Sequence, residues 1–149
     1  IDHVRVLVDN RGLLLDTYLA DDVPETIIGD RERITQIALN LLSNAIKFTP
    51  EGLIRVAIYC HSDGEHLVFA FQDSGIGISE DDRALIFEKF RQVDGTYNRQ
   101  YQGTGLGLSI VKQLAQYMGG DVFLQSEVNQ GSTFTVVLPL ITNEEYERG

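Results

Sequence analysis

The chain has 149 residues, with 12 basic and 22 acidic side chains and a formal net charge of −10. That is enough for one packed domain without a disulfide or metal staple, and such an acidic surface disfavours a nucleic-acid partner. A single cysteine, Cys60, excludes an internal bridge and suits a reduced, cytoplasmic setting, and with no signal peptide and no apolar run approaching the ~18 residues of a membrane span, no direct membrane contact is expected.

The first residues begin in mid-pattern without a Met, as a piece of a longer chain would. Residues 1–10 read as a short helix closed by Gly12. Residues 13–20 read as a strand. Asp30 is a good N-cap for a helix to about Phe48, stopped by Thr49, Pro50 and Gly52. Residues 53–60 alternate, with Ile54, Val56 and Ile58 on one face. Ser62, Asp63 and Gly64 signal a hairpin, and 67–73 return with Leu67, Phe69 and Phe71 on one side. Ser79 to Asp82 resembles a capping box and opens a short helix through Phe87. Residues 91–104 are polar and read as a mobile loop. A helix follows from Gly107 to Met118, ended by Gly119 and Gly120. Strands at 121–126 and 132–140 are joined by a turn through Asn129 to Gly131. Residues 1–140 form the expected domain, and 141–149 a loose tail. Strands and helices do not alternate strictly. The pattern predicts an α+β two-layer sandwich: a mixed five-stranded sheet covered on one face by about three helices.

The helix over 31–48 carries an unusual stripe. Ile34, Ile37, Ala38, Leu41, Leu42, Ala45 and Phe48 fall on one face, and Gln36, Asn40, Asn44 and Lys47 on another, with Arg33 beside them. Asn costs up to roughly 0.7 kcal/mol against Ala inside a helix. Two of them one turn apart suggest a polar task. An amide oxygen can ligate Mg²⁺, and Lys47 could reach a phosphate. The alternative is a helix whose amides bond to nearby backbone.

Asp73 shares strand parity with Leu67, Phe69 and Phe71, so it sits on the apolar side and needs a donor. The loop Asp73, Ser74, Gly75, Ile76, Gly77 lets the chain turn closely past a ligand. The amine of adenine is a suitable donor, and such a contact would favour ATP over GTP. An ordinary loop with Asp73 bonded to backbone amides is the other reading. A second glycine loop, Gly103, Thr104, Gly105, Leu106, Gly107, Leu108, leads into a helix, where free N–H groups make an anion site. It is neither a dinucleotide fingerprint nor a Walker A loop, since Leu108 stands at the last glycine position and no Lys-Ser/Thr follows. Loop 91–104 could close over the nucleotide, with Lys89, Arg91 and Arg99 as candidate cations for the triphosphate.

These segments together resemble the sensor histidine kinases. Asn40 to Thr49 is similar to their N box, Asp73 to Gly77 to the G1 box, Ile86 to Asp94 to the F box, Gly103 to Ile110 to the G2 box, and Gly131 to Phe134 to a last G box. The order and spacing match over nearly the whole chain, and the F and G2 wording is closest to hybrid-type kinases.

The resemblance implies the Bergerat ATP-binding fold shared with gyrase, the ninety-kilodalton chaperone and mismatch-repair ATPases. It implies Asn44 as the Mg²⁺ ligand, with Asn40 beside the phosphates, Lys47 and Arg99 on phosphate, and Phe48 lining the purine. Asp73 would bind the adenine amine, supported through water by Thr133, with Gly75, Gly77, Ile78, Lys89 and Phe90 around the nucleotide. Gly103 to Leu108 would wrap the triphosphate. The implied reaction moves the γ-phosphate of ATP to a histidine on a separate phosphoacceptor domain, and onward to a response regulator or receiver domain. ATPase relatives carry a Glu one turn before the metal Asn. Here that position is Asn40, which cannot act as a base near neutral pH, so hydrolysis should be slow. Of His3, His61 and His66, none sits in a phosphoacceptor context, and His61 and His66 read as exposed bystanders. Gln92 and Gln102 depart from residues common in the family. The competing readings are a non-catalytic pseudokinase or adaptor, and an ATP-hydrolysing relative.

Overall fold

The computed structural model describes residues 10, 12–25, 27–83 and 107–141. In chain order the elements are β1 (Leu14–Leu19), α1 (Arg31–Phe48), β2 (Leu53–Cys60), β3 (His66–Asp73), α2 (Glu80–Arg83), α3 (Gly107–Tyr117), β4 (Asp121–Glu127) and β5 (Gly131–Pro139). The strands form one sheet in the order β1-β2-β3-β5-β4. β1 runs parallel to β2, as a strand–helix–strand crossover allows. The remaining pairs are antiparallel. The expected mixed sheet under helices is therefore present, with two long helices and the single turn of α2 among the described residues.

Local chemistry sets the element ends. Asp30 stays extended at φ −88°, and its carboxylate accepts from the Arg33 amide at 3.1 Å, so it caps α1. The helix stops at Phe48, before Pro50, and Gly52 turns the chain into β2 with φ 121°. At the β2–β3 hairpin the Asp63 carboxylate accepts from the amides of Glu65 (2.8 Å) and His66 (3.2 Å).

The core lies between the sheet and the two long helices. Ile37, Leu41, Leu42, Ala45 and Ile46 of α1 and Val111 and Ala115 of α3 pack over Ile54, Val56, Phe71, Phe134 and Val136. Ile46 was not on the apolar face expected from spacing; it joins the core because the helix is covered on more than one side. The other sheet face carries the Asp16–Arg55 ion pair (2.9 Å) and the exposed rings of Tyr18 and Phe123. Ile141 departs from the expected tail: its carbonyl accepts from the Ile28 amide at 2.8 Å. The expected helix over 1–9, the continuation of α2 to Phe87, the loop over 91–104 and the tail over 142–149 lie outside the described residues.

Candidate functional site

At one end of the sheet, polar side chains face the helix layer in a row across three strands. Asp73, last in β3, pairs with Ser132 of β5, and Ser132 pairs with Ser126 of β4. All three are buried, Asp73 to 6% exposure. The Asp73 carboxylate accepts from the Gly75 amide at 2.9 Å. Burial pushes its pKa above the ordinary carboxylate range, while the amides of Gly75 and Ser132 and the nearby Thr49 hydroxyl pull it back. The hydroxyl stops short of a proper hydrogen bond: Thr49 is 0% exposed, and its Oγ1 has no partner among the described residues. A buried polar atom without a partner, beside a buried carboxylate, is an arrangement that a ligand or its water would complete.

The loop after Asp73 is held on both sides by protein backbone. A Cβ on Gly75 would lie 2.1 Å from the Phe48 carbonyl oxygen, and one on Gly77, at φ +74°, would lie 2.0 Å from that of Glu127. The Ile76 amide donates to the Phe48 carbonyl at 3.1 Å, which clamps the loop to the last turn of α1. The Asn129 amide donates to Ile76 at 2.7 Å, which ties the loop to the β4–β5 turn. The two glycines thus approach other backbone closely, a packing requirement beside any ligand role. Ile78 is buried in the core, and its amide donates to Ser126 Oγ at 2.8 Å.

That clamp brings the amide stripe of α1 to the same end of the sheet. Asn40, Asn44 and Lys47 are half-buried, whereas Gln36 on the same stripe is exposed. Arg33 is occupied elsewhere, pairing with Asp30 and lying 4.2 Å over the Tyr117 ring. Among the described residues no group of three or more His, Cys, Asp or Glu could hold a metal. The oxygen donors on this stripe are the neutral amides of Asn40 and Asn44, which fit a hard cation that takes its remaining ligands from a phosphate substrate. Gly107 opens α3, and Leu108 packs against the core.

Thr133 requires a correction. It pairs with Gln72, one residue out of register with Asp73, and side chains alternate along a strand. It therefore points to the sheet face away from Asp73, and the hydroxyl on the Asp73 side belongs to Ser132. The sequence reading missed Ser126 and Ser132; the available signal was a pair of serines at matching parity in two strands ending opposite Asp73. His61 and His66 sit on the β2–β3 hairpin, at the opposite end of the ladder from Asp73, with their Nδ1 atoms 3.3 and 2.7 Å from the Asp63 carboxylate. Lys89, Phe90, Arg99, Gly103, Thr104, Gly105 and Leu106 lie outside the described residues.

Comparison with known proteins identifies the family and the fold. The family described as "Histidine kinase-, DNA gyrase B-, and HSP90-like ATPase" matches residues 29–142. The circadian input-output histidine kinase CikA of Synechococcus elongatus is 45% identical over 128 residues, covering 85% of this chain and 17% of that protein. Hybrid signal transduction histidine kinase B of Dictyostelium discoideum is 44% identical over 142 residues, covering 91% of this chain and 7% of that protein. Among solved structures, full-length ShkA in complex with AMPPNP superposes with a TM-score of 0.83 at 35% identity, covering 95% of this chain and 28% of that one. The chain thus spans a small part of each of these relatives. With its family match, its kinase relatives and its fold in agreement, the chain belongs to the histidine kinase-, DNA gyrase B- and HSP90-like ATPases, as a catalytic domain of the histidine kinase type.

Proposed function

We propose that this domain binds ATP with Mg²⁺ and donates the γ-phosphate to a histidine on a separate phosphoacceptor domain, from which it passes to a receiver domain, in the cytoplasm. The observation that carries the reading is the buried Asp73 carboxylate beside the Thr49 hydroxyl, which has no hydrogen-bond partner among the described residues. An anionic acceptor held in a half-dry wall suits the 6-amino group of adenine and meets another acceptor at the 6-oxo group of guanine. The AMPPNP bound to ShkA supports an adenine nucleotide as the ligand class.

In this reading each group has a positional task. Asp73 orients the base, and the Gly75 and Ser132 amides partly offset the effect of burial on its carboxylate. Asn40 and Asn44 line the phosphate side, with Asn44 holding Mg²⁺, which neutralises phosphate charge. Lys47 contributes a positive charge one turn on, and Phe48 borders the purine. Gly107 and Leu108 start a helix whose free amides favour an anion. Arg99 and the residues from Lys89 to Leu106 complete the triphosphate side in the same proposal. Asn40 supplies no base for water, so the phosphate awaits an imidazole.

The test is calorimetric titration with ATP and GTP, with and without Mg²⁺, followed by a transfer assay in the full-length kinase. Saturable, ATP-selective binding is expected. Asn44→Ala should keep the wild-type melting temperature and lose phosphotransfer; undiminished transfer would remove Asn44 from the site. Binding without transfer in the full-length protein would make the domain a nucleotide-binding module instead.

A further inference from the structure

Ser126 belongs to none of the groups assigned above, yet its hydroxyl makes three close polar contacts at the end of the sheet that holds Asp73. It accepts from the Ile78 amide at 2.8 Å, donates to the Gly131 carbonyl at 2.9 Å, and lies 2.8 Å from Ser132 Oγ. Both serines are buried. A serine hydroxyl has one proton and two lone pairs. The Ile78 N–H can only donate, so it takes a lone pair of Ser126. The Gly131 carbonyl can only accept, so it takes the single proton. Ser126 has then only a lone pair left for Ser132, and the Ser132 proton must point at Ser126.

The direction of that proton decides what the pocket wall offers. Ser132 stands directly across the strand pair from Asp73, and its amide serves the Asp73 carboxylate. With its proton turned away, Ser132 Oγ presents lone pairs only. In its ionised form Asp73 also only accepts. The Thr49 hydroxyl, which has no hydrogen-bond partner among the described residues, is the separate donor of this wall. On the Ser132 side the row therefore meets a purine edge with acceptors and no free donor.

We propose that Ser126 is a positioning residue that fixes this hydrogen-bond polarity, and so sets the preference of the site for a 6-amino over a 6-oxo purine. The proposal rests on the nucleotide reading given above. Without the Ser126 hydroxyl the Ser132 O–H is released to rotate and can donate to a 6-oxo group. Asp73 alone would then carry the discrimination.

The experiment titrates the domain with ATP and with inosine triphosphate, which differ at the 6-position edge. The readout is the ratio of the two affinities. In the wild type ATP should bind more tightly. Ser126→Ala should lower the ratio about tenfold, the worth of one hydrogen bond, chiefly by improving inosine triphosphate binding. Ser126→Thr, which keeps the hydroxyl, should retain the wild-type ratio. In a Ser132→Ala background, Ser126→Ala should leave the ratio unchanged, because there is no proton left to redirect. Should Ser126→Ala melt below the assay temperature, Ser126→Cys takes its place, since a thiol is a weak hydrogen-bonding group. An unchanged ratio in the Ser126 variant, or equal loss of both nucleotides, would overturn the proposal and leave Ser126 a structural tie. Failure of the wild type to bind either nucleotide would instead sink the nucleotide reading, and this inference with it.

Discussion

The surroundings of Asp73 work against its ionised form. Burial raises its pKa, and the Gly75 and Ser132 amides only partly offset that. Its folded-state pKa lies above the unfolded one, so its contribution to stability is full below the ordinary Asp value of about 3.9. That contribution is lost as pH rises through the raised folded value. The adenine amine acts in the opposite sense, because a donor favours the charged form. ATP affinity should therefore be greatest above the raised pKa and fall as the solution is acidified through it, with proton release on binding near that value. Calorimetry in two buffers of different ionisation heat measures both. Affinity that is flat across the carboxylate range would place the adenine contact elsewhere.

Two glycines of similar backbone conformation separate strain from contact. Gly64 has φ +71° with nothing within 4 Å of an added Cβ, while Gly77 has φ +74° with the Glu127 oxygen 2.0 Å away. Ala at Gly64 should cost about 1–2 kcal/mol, the left-handed penalty alone. Ala at Gly77 should cost distinctly more, about 3 kcal/mol or above, since a backbone oxygen must move as well. Urea unfolding of the two variants gives the difference directly, and equal losses would show that the loop after Asp73 yields easily.

At the scale of the element, α1 does two jobs with two faces. Leu41 is 1% exposed, in the middle of the helix and over the sheet. Leu41→Ala should lower the unfolding free energy by about 2–5 kcal/mol. Gln36→Ala, exposed on the opposite stripe, should change it by less than about 0.5 kcal/mol. A small loss at Leu41 would mean that the layer between helix and sheet can collapse around a void. This division was legible in the sequence: Asp30 as cap, the apolar spacing and the stop before Pro50 are all local signals, and the strand alternation was too. Strand register was not local. Ser132 and Thr133 are adjacent hydroxyl residues, and a slip of one residue exchanges which of them faces Asp73. Only the pairing of β3 with β5 decides between them. The importance of Ser126 was hidden for the same reason, since its partners come from two segments, Ile78 after β3 and Gly131 and Ser132 at the start of β5. The backbone contacts of Gly75 and Gly77 were equally hidden, because a close approach to protein and a close approach to ligand ask for the same residue.

At the scale of the whole molecule, the sheet separates the Asp73 end from the described histidines. Ile54 pairs with Asp73 at one end of the β2–β3 ladder, and Cys60 pairs with Leu67 at the other, where the hairpin carries His61 and His66. Eight residues of strand span about 25 Å. Phosphoryl transfer needs the reacting atoms within about 3.5 Å of each other. Both imidazoles also lie against the Asp63 carboxylate, in a hairpin fixed by its own backbone bonds. Neither can serve as the acceptor within the same molecule without unfolding the sheet that positions Asp73. The isolated domain, given ATP and Mg²⁺, should therefore gain no acid-labile phosphate at His61 or His66. The double variant His61→Gln, His66→Gln should bind ATP with wild-type affinity and transfer phosphate normally in the full-length kinase. Intact-mass measurement at neutral pH, followed by peptide mapping, reads the first outcome, and the transfer assay reads the second. Phosphate that appears on either hairpin histidine at a rate independent of protein concentration, and so within one molecule, would mean that the nucleotide sits at the other end of the sheet, and the assignment of Asp73 would fall with it.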